Sequence, residues 1–183
     1  MISPQKGSLL IANPFLKDPN FSRTVIFLCE NLPEGTFGFV LNKKISKGLN
    51  EVLPDLDMPG LPVYLGGPVQ PDSLHFLHQY PELISGGEEV MDGIYWGGNF
   101  ETLQILLKND DISPDKIRFF IGYSGWSEGQ LADEMKAESW LTVKATSKLV
   151  FQTKAEETWK ESLNYLGGDY RMMINFPIDP QLN

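Results

Sequence analysis

Short apolar runs broken by glycine, proline and asparagine fill the first half of the chain. "SLLIA" (8–12), "RTVIFLC" (23–29) and "TFGFVL" (36–41) are brief, rich in β-branched and aromatic residues, and predict strands. "ENLPEG" (30–35) separates the second from the third and holds Asn, Pro and Gly, so the two pair as an antiparallel hairpin with a six-residue loop. "NPFLKDPNFS" carries two prolines and predicts an ordered loop or a single helical turn. "GLNEVLPDLDMPGLP" (48–62) reads as a short helix stopped by Pro54, followed by a proline-rich lead into "VYLGGPV". "SLHFLH" (73–78) alternates apolar and polar positions, the mark of a strand with one wet face.

From residue 93 the rhythm changes to strand and helix in turn: "GIYWGG", "NFETLQILLKND", "KIRFFIGYSG", "SEGQLADEMKAE" and "SWLTVKA". Helices of about a dozen residues between strands predict a βαβαβ segment with at least partly parallel pairing. Asn99 is placed to cap the first helix, with Glu101 in its first turn and Phe100, Leu103, Leu106 and Leu107 as its buried stripe. Ser127 with Gln130, and Thr153 with Glu156, have capping-box spacing. Trp159, Leu163 and Leu166 share a face of the last helix, which Gly167 can end. The tail (167–183) is expected to be extended or frayed. No repeat, low-complexity tract or linker divides residues 1–183, so the expected fold is a single α/β (α+β) domain.

Composition narrows the function classes. Hydrophobic residues make up 42% and charged residues 21%, a globular balance. The net charge of −9 repels phosphate backbones, and the densest basic spot, Lys43, Lys44 and Lys47, is too short to neutralise many phosphates. Direct nucleic-acid binding is therefore disfavoured. Cys29 is the only cysteine and lies in an apolar run, so it reads as a core residue. No window reaches the roughly 18 apolar residues of a membrane span, and the N-terminus lacks a signal-peptide pattern, which points to the cytosol.

The chemistry turns on "GYSGWS" (122–127). A serine on a glycine-flanked strand-to-helix turn is how Gly-x-Ser-x-Gly hydrolases present their nucleophile, but Trp126 stands where the second glycine belongs. Both histidines, His75 and His78, lie upstream of Ser124, whereas that hydrolase order puts the imidazole downstream. A tight corner explains more: Gly122 and Gly125 bend the backbone and Trp126 closes over it. A small-ligand cradle is the second reading. Its candidate residues are Gly97 and Gly98 at one junction, Gly122, Tyr123, Ser124, Gly125 and Trp126 at another, and the pair Gly66 and Gly67. Neither junction matches a phosphate loop or dinucleotide fingerprint, so no cofactor is expected. Alternation would send His75 and His78 to opposite sheet faces, a poor arrangement for one metal, and no carboxylate pair stands out for acid-base work.

The stretches "GSLLIANPFLKDPNFSRTVIFLCE", "GFVLN", "VYLGGPVQ", "LHFLH", "GIYWGG", "IRFFIGYSGWSEGQLADEM", "SWLTV" and "LVF", in this order and spacing from residue 7 to about 166, resemble the YqgE/AlgH family of bacterial proteins. The resemblance implies a bent, branching mixed sheet folded into a partial barrel. It also brings a label of transcriptional regulation and no catalytic residue to transfer. Members similar to this chain often carry alanine in place of Ser124, which suits a packed turn. Three functions follow as expectations. One is a non-catalytic binding or regulatory module acting through a protein partner or small ligand. Another is a hydrolase or nucleotide-handling enzyme, which needs His75 or His78 within hydrogen-bond reach of Ser124 or Tyr123. The last is an oligomer held by an exposed patch drawn from Tyr95, Trp96, Tyr123, Trp126, Trp140 and Trp159.

Overall fold

In the computed structural model, which describes residues 2 to 176, ten strands form one curled sheet. They are β1 Ser8–Ala12, β2 Val25–Leu32, β3 Gly35–Val40, β4 Lys44–Gly48, β5 Pro62–Leu65, β6 Val69–His78, β7 Glu88–Met91, β8 Ile94–Trp96, β9 Ile117–Ser127 and β10 Trp140–Lys144. The main path runs β10-β1-β2-β3-β9-β6-β8-β7, and β5, with β4 on its outer edge, joins β9 as a branch. Four α-helices flank it: α1 Leu49–Val52, α2 Phe100–Lys108, α3 Gln130–Lys136 and α4 Ala155–Leu166.

Both faces of the N-terminal sheet are covered, which is why its strands read as continuous apolar runs. Leu9, Ile11, Val25 and Phe27 turn to the face that α4 packs on, while Leu10, Ala12, Ile26 and Leu28 turn to the face of α3. Trp159 anchors α4 by donating its indole N–H to the Ala12 carbonyl at 2.8 Å. A third cluster, with Leu103 and Leu107 of α2 against Val63, Phe76 and Phe119, fills the space under the branch.

Strands β8, β9 and β10 run in the same direction, as crossover helices require, but other strands lie between them. The hydrogen-bonded parallel pair is β5 with β9. The β2–β3 connection is tighter than the six residues expected: a bulge at Cys29 keeps the ladder in register through Leu32↔Gly35, leaving Pro33 and Glu34 as the loop.

Four further expectations are corrected, one of them in part. "GYSGWS" is not a strand-to-helix corner, since β9 continues to Ser127 and α3 begins at Gln130 behind a left-handed Gly129. Half of the expected capping box forms there: Gln130 Oε1 accepts from the Ser127 backbone N–H at 3.1 Å, while Ser127 stays in the strand. Thr153 does not cap α4, because its hydroxyl turns back to donate to the Lys148 carbonyl at 3.0 Å. Asn99, by contrast, accepts from Thr102 N–H at 2.8 Å and caps α2. The segment after Gly167 is a 3-10 helix over Gly168–Asn175 with Tyr170, Met173 and Ile174 on the main core. The remainder of the expected extended tail, 177–183, lies outside the described residues.

Candidate functional site

Strand β9 is the hub. One edge pairs with β6, while the other pairs with β5 along residues 119–121 and with β3 along residues 124–127. Where β5 and β3 part, three glycines meet. A Cβ on Gly67 would lie 2.2 Å from the Tyr123 carbonyl carbon, one on Gly66 2.4 Å from the Gly122 oxygen, and one on Gly122 2.6 Å from the Gly67 oxygen. Gly66, Gly67 and Gly122 thus allow two backbones to touch.

Ser124 belongs to this junction. Its side chain is fully buried and its hydroxyl donates to the Gly66 carbonyl at 3.0 Å, the same oxygen that accepts from Val40 N–H at 2.8 Å. The hydroxyl fastens the branch and is out of reach of a substrate. Two amides of the other glycine corner are also engaged: Gly97 N–H donates to the Phe76 carbonyl and Asn99 N–H to that of Ser85.

Beyond the junction, β9 alternates. Tyr123 and Gly125 face a cleft of about 540 Å³, which Trp126 also borders, and the facing walls come from Gly35, Thr36 and Phe37 of β3, Val69 and His75 of β6 and Trp96 of β8. Phe37 is the centre of its aromatic wall, with ring centroids 4.8 Å from Trp96 and 6.1 Å from Tyr123, both steeply inclined. Gly125 leaves the space open, since a Cβ there would press on the Tyr123 ring at 3.3 Å. Glu30 and Glu34 line the cleft, and neither pairs with a basic side chain among the described residues. Gly97 and Gly98 line a neighbouring cavity of about 460 Å³ that shares His75 and Trp96 with the first.

Of the candidate residues, the structure brings Tyr123, Gly125 and Trp126 to the main cleft and Gly97 and Gly98 to its neighbour. It assigns Gly66, Gly67, Gly122 and Ser124 to packing. The proposed aromatic patch divides: Trp126, Trp140 and Trp159 are buried, whereas Tyr95, Trp96 and Tyr123 are half-buried. Glu134 fixes two of the buried indoles, accepting from Trp126 Nε1 at 2.9 Å and Trp140 Nε1 at 2.7 Å. Phe37, Glu30 and Glu34 were missed, although the two-residue alternation of "TFGF" puts Phe37 and Phe39 on one face.

The histidines have different partners. Ser73 Oγ donates to the Gln70 carbonyl at 2.7 Å, so His75 Nε2, 3.0 Å from that oxygen, must be the donor of the pair. This polarity is opposite to the one that would activate a serine. His75 meets Tyr123 ring to ring, edge-on at 6.0 Å. His78 is fully buried, accepts from Tyr80 N–H on Nδ1 at 3.1 Å and donates from Nε2 to the Gly97 carbonyl at 2.9 Å.

Burial lowers the pKa of both imidazoles from 6.5. The unfolded chain therefore takes up protons as pH falls through that value while the folded chain resists. This contribution to stability is complete above pH 6.5 and is lost below it, by at most about 1.4 kcal/mol per pH unit for each ring. The melting temperature should fall from pH 7 to about 5.5, and the His75→Gln/His78→Gln variant should flatten that slope. An unchanged slope would refute the assignment.

The half-barrel built on this hub also appears in solved structures. The chain aligns with the solution structure of AlgH from Pseudomonas aeruginosa at TM-score 0.76 and 30% identity, covering 97% of each chain. It aligns with protein DIP2367 from Corynebacterium diphtheriae at TM-score 0.75 and 20% identity, over 96% and 94% of the two chains, a likeness of fold. The AlgH-like family profile matches residues 9–171, and the chain belongs to that family. Relatives include UPF0301 proteins of Chlorobium luteolum, 42% identical over 97% of this chain and 94% of that one, and of Cytophaga hutchinsonii, 41% identical over 97% and 98%.

Proposed function

We propose that the protein is a non-catalytic binding module of the cytosol, regulatory through what it takes up in the cleft between β3, β6, β8 and β9, and without direct contact to DNA. The observation that carries this reading is the cleft itself. Its volume of about 540 Å³ suits a small ligand, and its aromatic walls stand on paired strands. The absence of a base acting on Ser73, together with the burial of Ser124, favours binding over acyl or phosphoryl transfer. The net charge of −9 weighs against a phosphate backbone as partner. No helix among the described residues is long and apolar enough to cross a membrane, and a single buried thiol suits a reducing compartment.

The test is a titration of isotope-labelled protein with small neutral, anionic and cationic fragments. Binders should shift the Trp96 indole and Gly125 amide resonances, and Trp96→Leu should weaken them about tenfold or more, as expected for loss of a buried aromatic contact. Fragments that leave these resonances unmoved, or stoichiometric labelling of Ser124 by a serine-reactive phosphonate, would overturn the reading.

A further inference from the structure

Charge and wall geometry narrow the ligand class, given that the cleft is a ligand site as proposed above. Phe37 stands at 62° to Trp96 and 79° to Tyr123, so these rings form a concave corner in place of a flat stack. All three rings line the cleft, and an aromatic face that borders it presents a negative quadrupole to its contents. Glu30, half-buried, and Glu34, exposed, contribute the acidic groups, and among the described residues no lysine or arginine lines the cleft. An anionic ligand would meet two carboxylates and no counter-charge. His75 adds no compensating positive charge, because burial lowers its pKa and its Nε2–H is taken by Ser73. The acidic surface of the whole chain raises the local concentration of cations.

We propose that the cleft binds a small organic cation, a quaternary or protonated amine, with its charge against the faces of Phe37, Trp96 and Tyr123 and with Glu30 and Glu34 as counter-ions. The cleft is larger than one ammonium head group, so an uncharged portion of the ligand occupies the remainder beside Val69 and Trp126.

The deciding probes are choline and its neutral isostere 3,3-dimethylbutan-1-ol, titrated against the Trp96 and Gly125 resonances. Choline should bind about tenfold tighter, the scale of a partly desolvated cation–π contact. Glu30→Gln/Glu34→Gln should weaken choline about threefold or more and leave the alcohol unchanged, and added salt should do the same. Trp96→Leu, confirmed folded by its melting curve, should weaken both. Equal affinities for the two probes would overturn the cation inference while leaving the cleft a ligand site. So would binding of neutral or anionic fragments with no response to choline. Silence to every probe of any charge would remove the inference together with the reading it rests on.

Discussion

Gly67→Ala is expected to leave no cooperatively folded protein. The added methyl would lie 2.2 Å from both the carbonyl carbon and oxygen of Tyr123 and 2.4 Å from the nitrogen of Ser124. All three are backbone atoms of β9, and β9 is held on its other edge by β6 through Val69↔Tyr123 and Leu74↔Ile121. No side chain can swing aside to relieve the contact. The strands must separate by more than an ångström, which breaks the Gly66 N–H to Ile121 bond of 2.9 Å and the Val40 and Ser124 bonds to the Gly66 oxygen. Overpacking of a soft core costs about 1–3 kcal/mol, and loss of several buried hydrogen bonds adds about 1 kcal/mol or more each. Together these approach the whole of a marginal stability of about 5–15 kcal/mol. Gly122→Ala should behave alike, since its φ of +65° adds strain to the contact with the Gly67 oxygen. The control is Gly86→Ala, where φ is +78° but a Cβ would meet nothing within 4 Å. Strain alone should cost about 1–2 kcal/mol there. A Gly67→Ala protein that melts within about 4 °C of the wild type would show that the branch is softer than these contacts imply.

The same junction marks the boundary of what the sequence reveals. The apolar runs at residues 8–12, 23–29 and 36–41 place strands correctly because a strand buried on both faces leaves its signature locally. Asn99 and the Leu103, Leu107 stripe place α2 for the same reason. Gly66, Gly67 and Gly122 mislead: glycine serves turns and close backbone approach alike, and Gly122 lies more than fifty residues along the chain from the adjacent Gly66 and Gly67. The period of two across Tyr123, Ser124, Gly125 and Trp126 was present in the sequence. Nothing local, however, told a bent strand from a corner ahead of a helix. The cleft was half legible for a related reason. Tyr123, Gly125 and Trp126 were candidates through their glycines, but Phe37, Glu30 and Glu34 belong to a hairpin whose relation to β9 is fixed only by pairing between Gly35↔Ser127 and Gly38↔Ser124. Junction and site are one structure in this sense. The crossing that needs bare glycines also sets Tyr123 diagonally across from Phe37, whose register partner is Gly125.

Arg118 carries the second large effect, and the order of its variants tests the cause. Its guanidinium is buried with no carboxylate in ion-pair range among the described residues. It donates to three carbonyls instead: Leu41 at 3.0 Å from Nη1, and Phe151 at 3.1 Å and Thr153 at 3.4 Å from Nη2. The Tyr64 ring lies 4.5 Å away. One side chain thus ties β9 to the end of β3 and to the segment leading into α4. Burial lowers its pKa, the sign of a charge held away from water at a cost. Arg118→Met relieves that cost but leaves the three acceptors without donors, for a net loss of about 2 kcal/mol. Arg118→Lys keeps the buried charge, yet a single ammonium cannot span carbonyls that the fork reaches from two nitrogens, and the loss rises to about 3–4 kcal/mol. The nominally conservative change should therefore be the worse one, by roughly 2–4 °C in melting temperature for each kcal/mol. If Lys proves milder than Met, the charge at this position contributes more than the fork, and the three carbonyls find other donors when the arginine is gone.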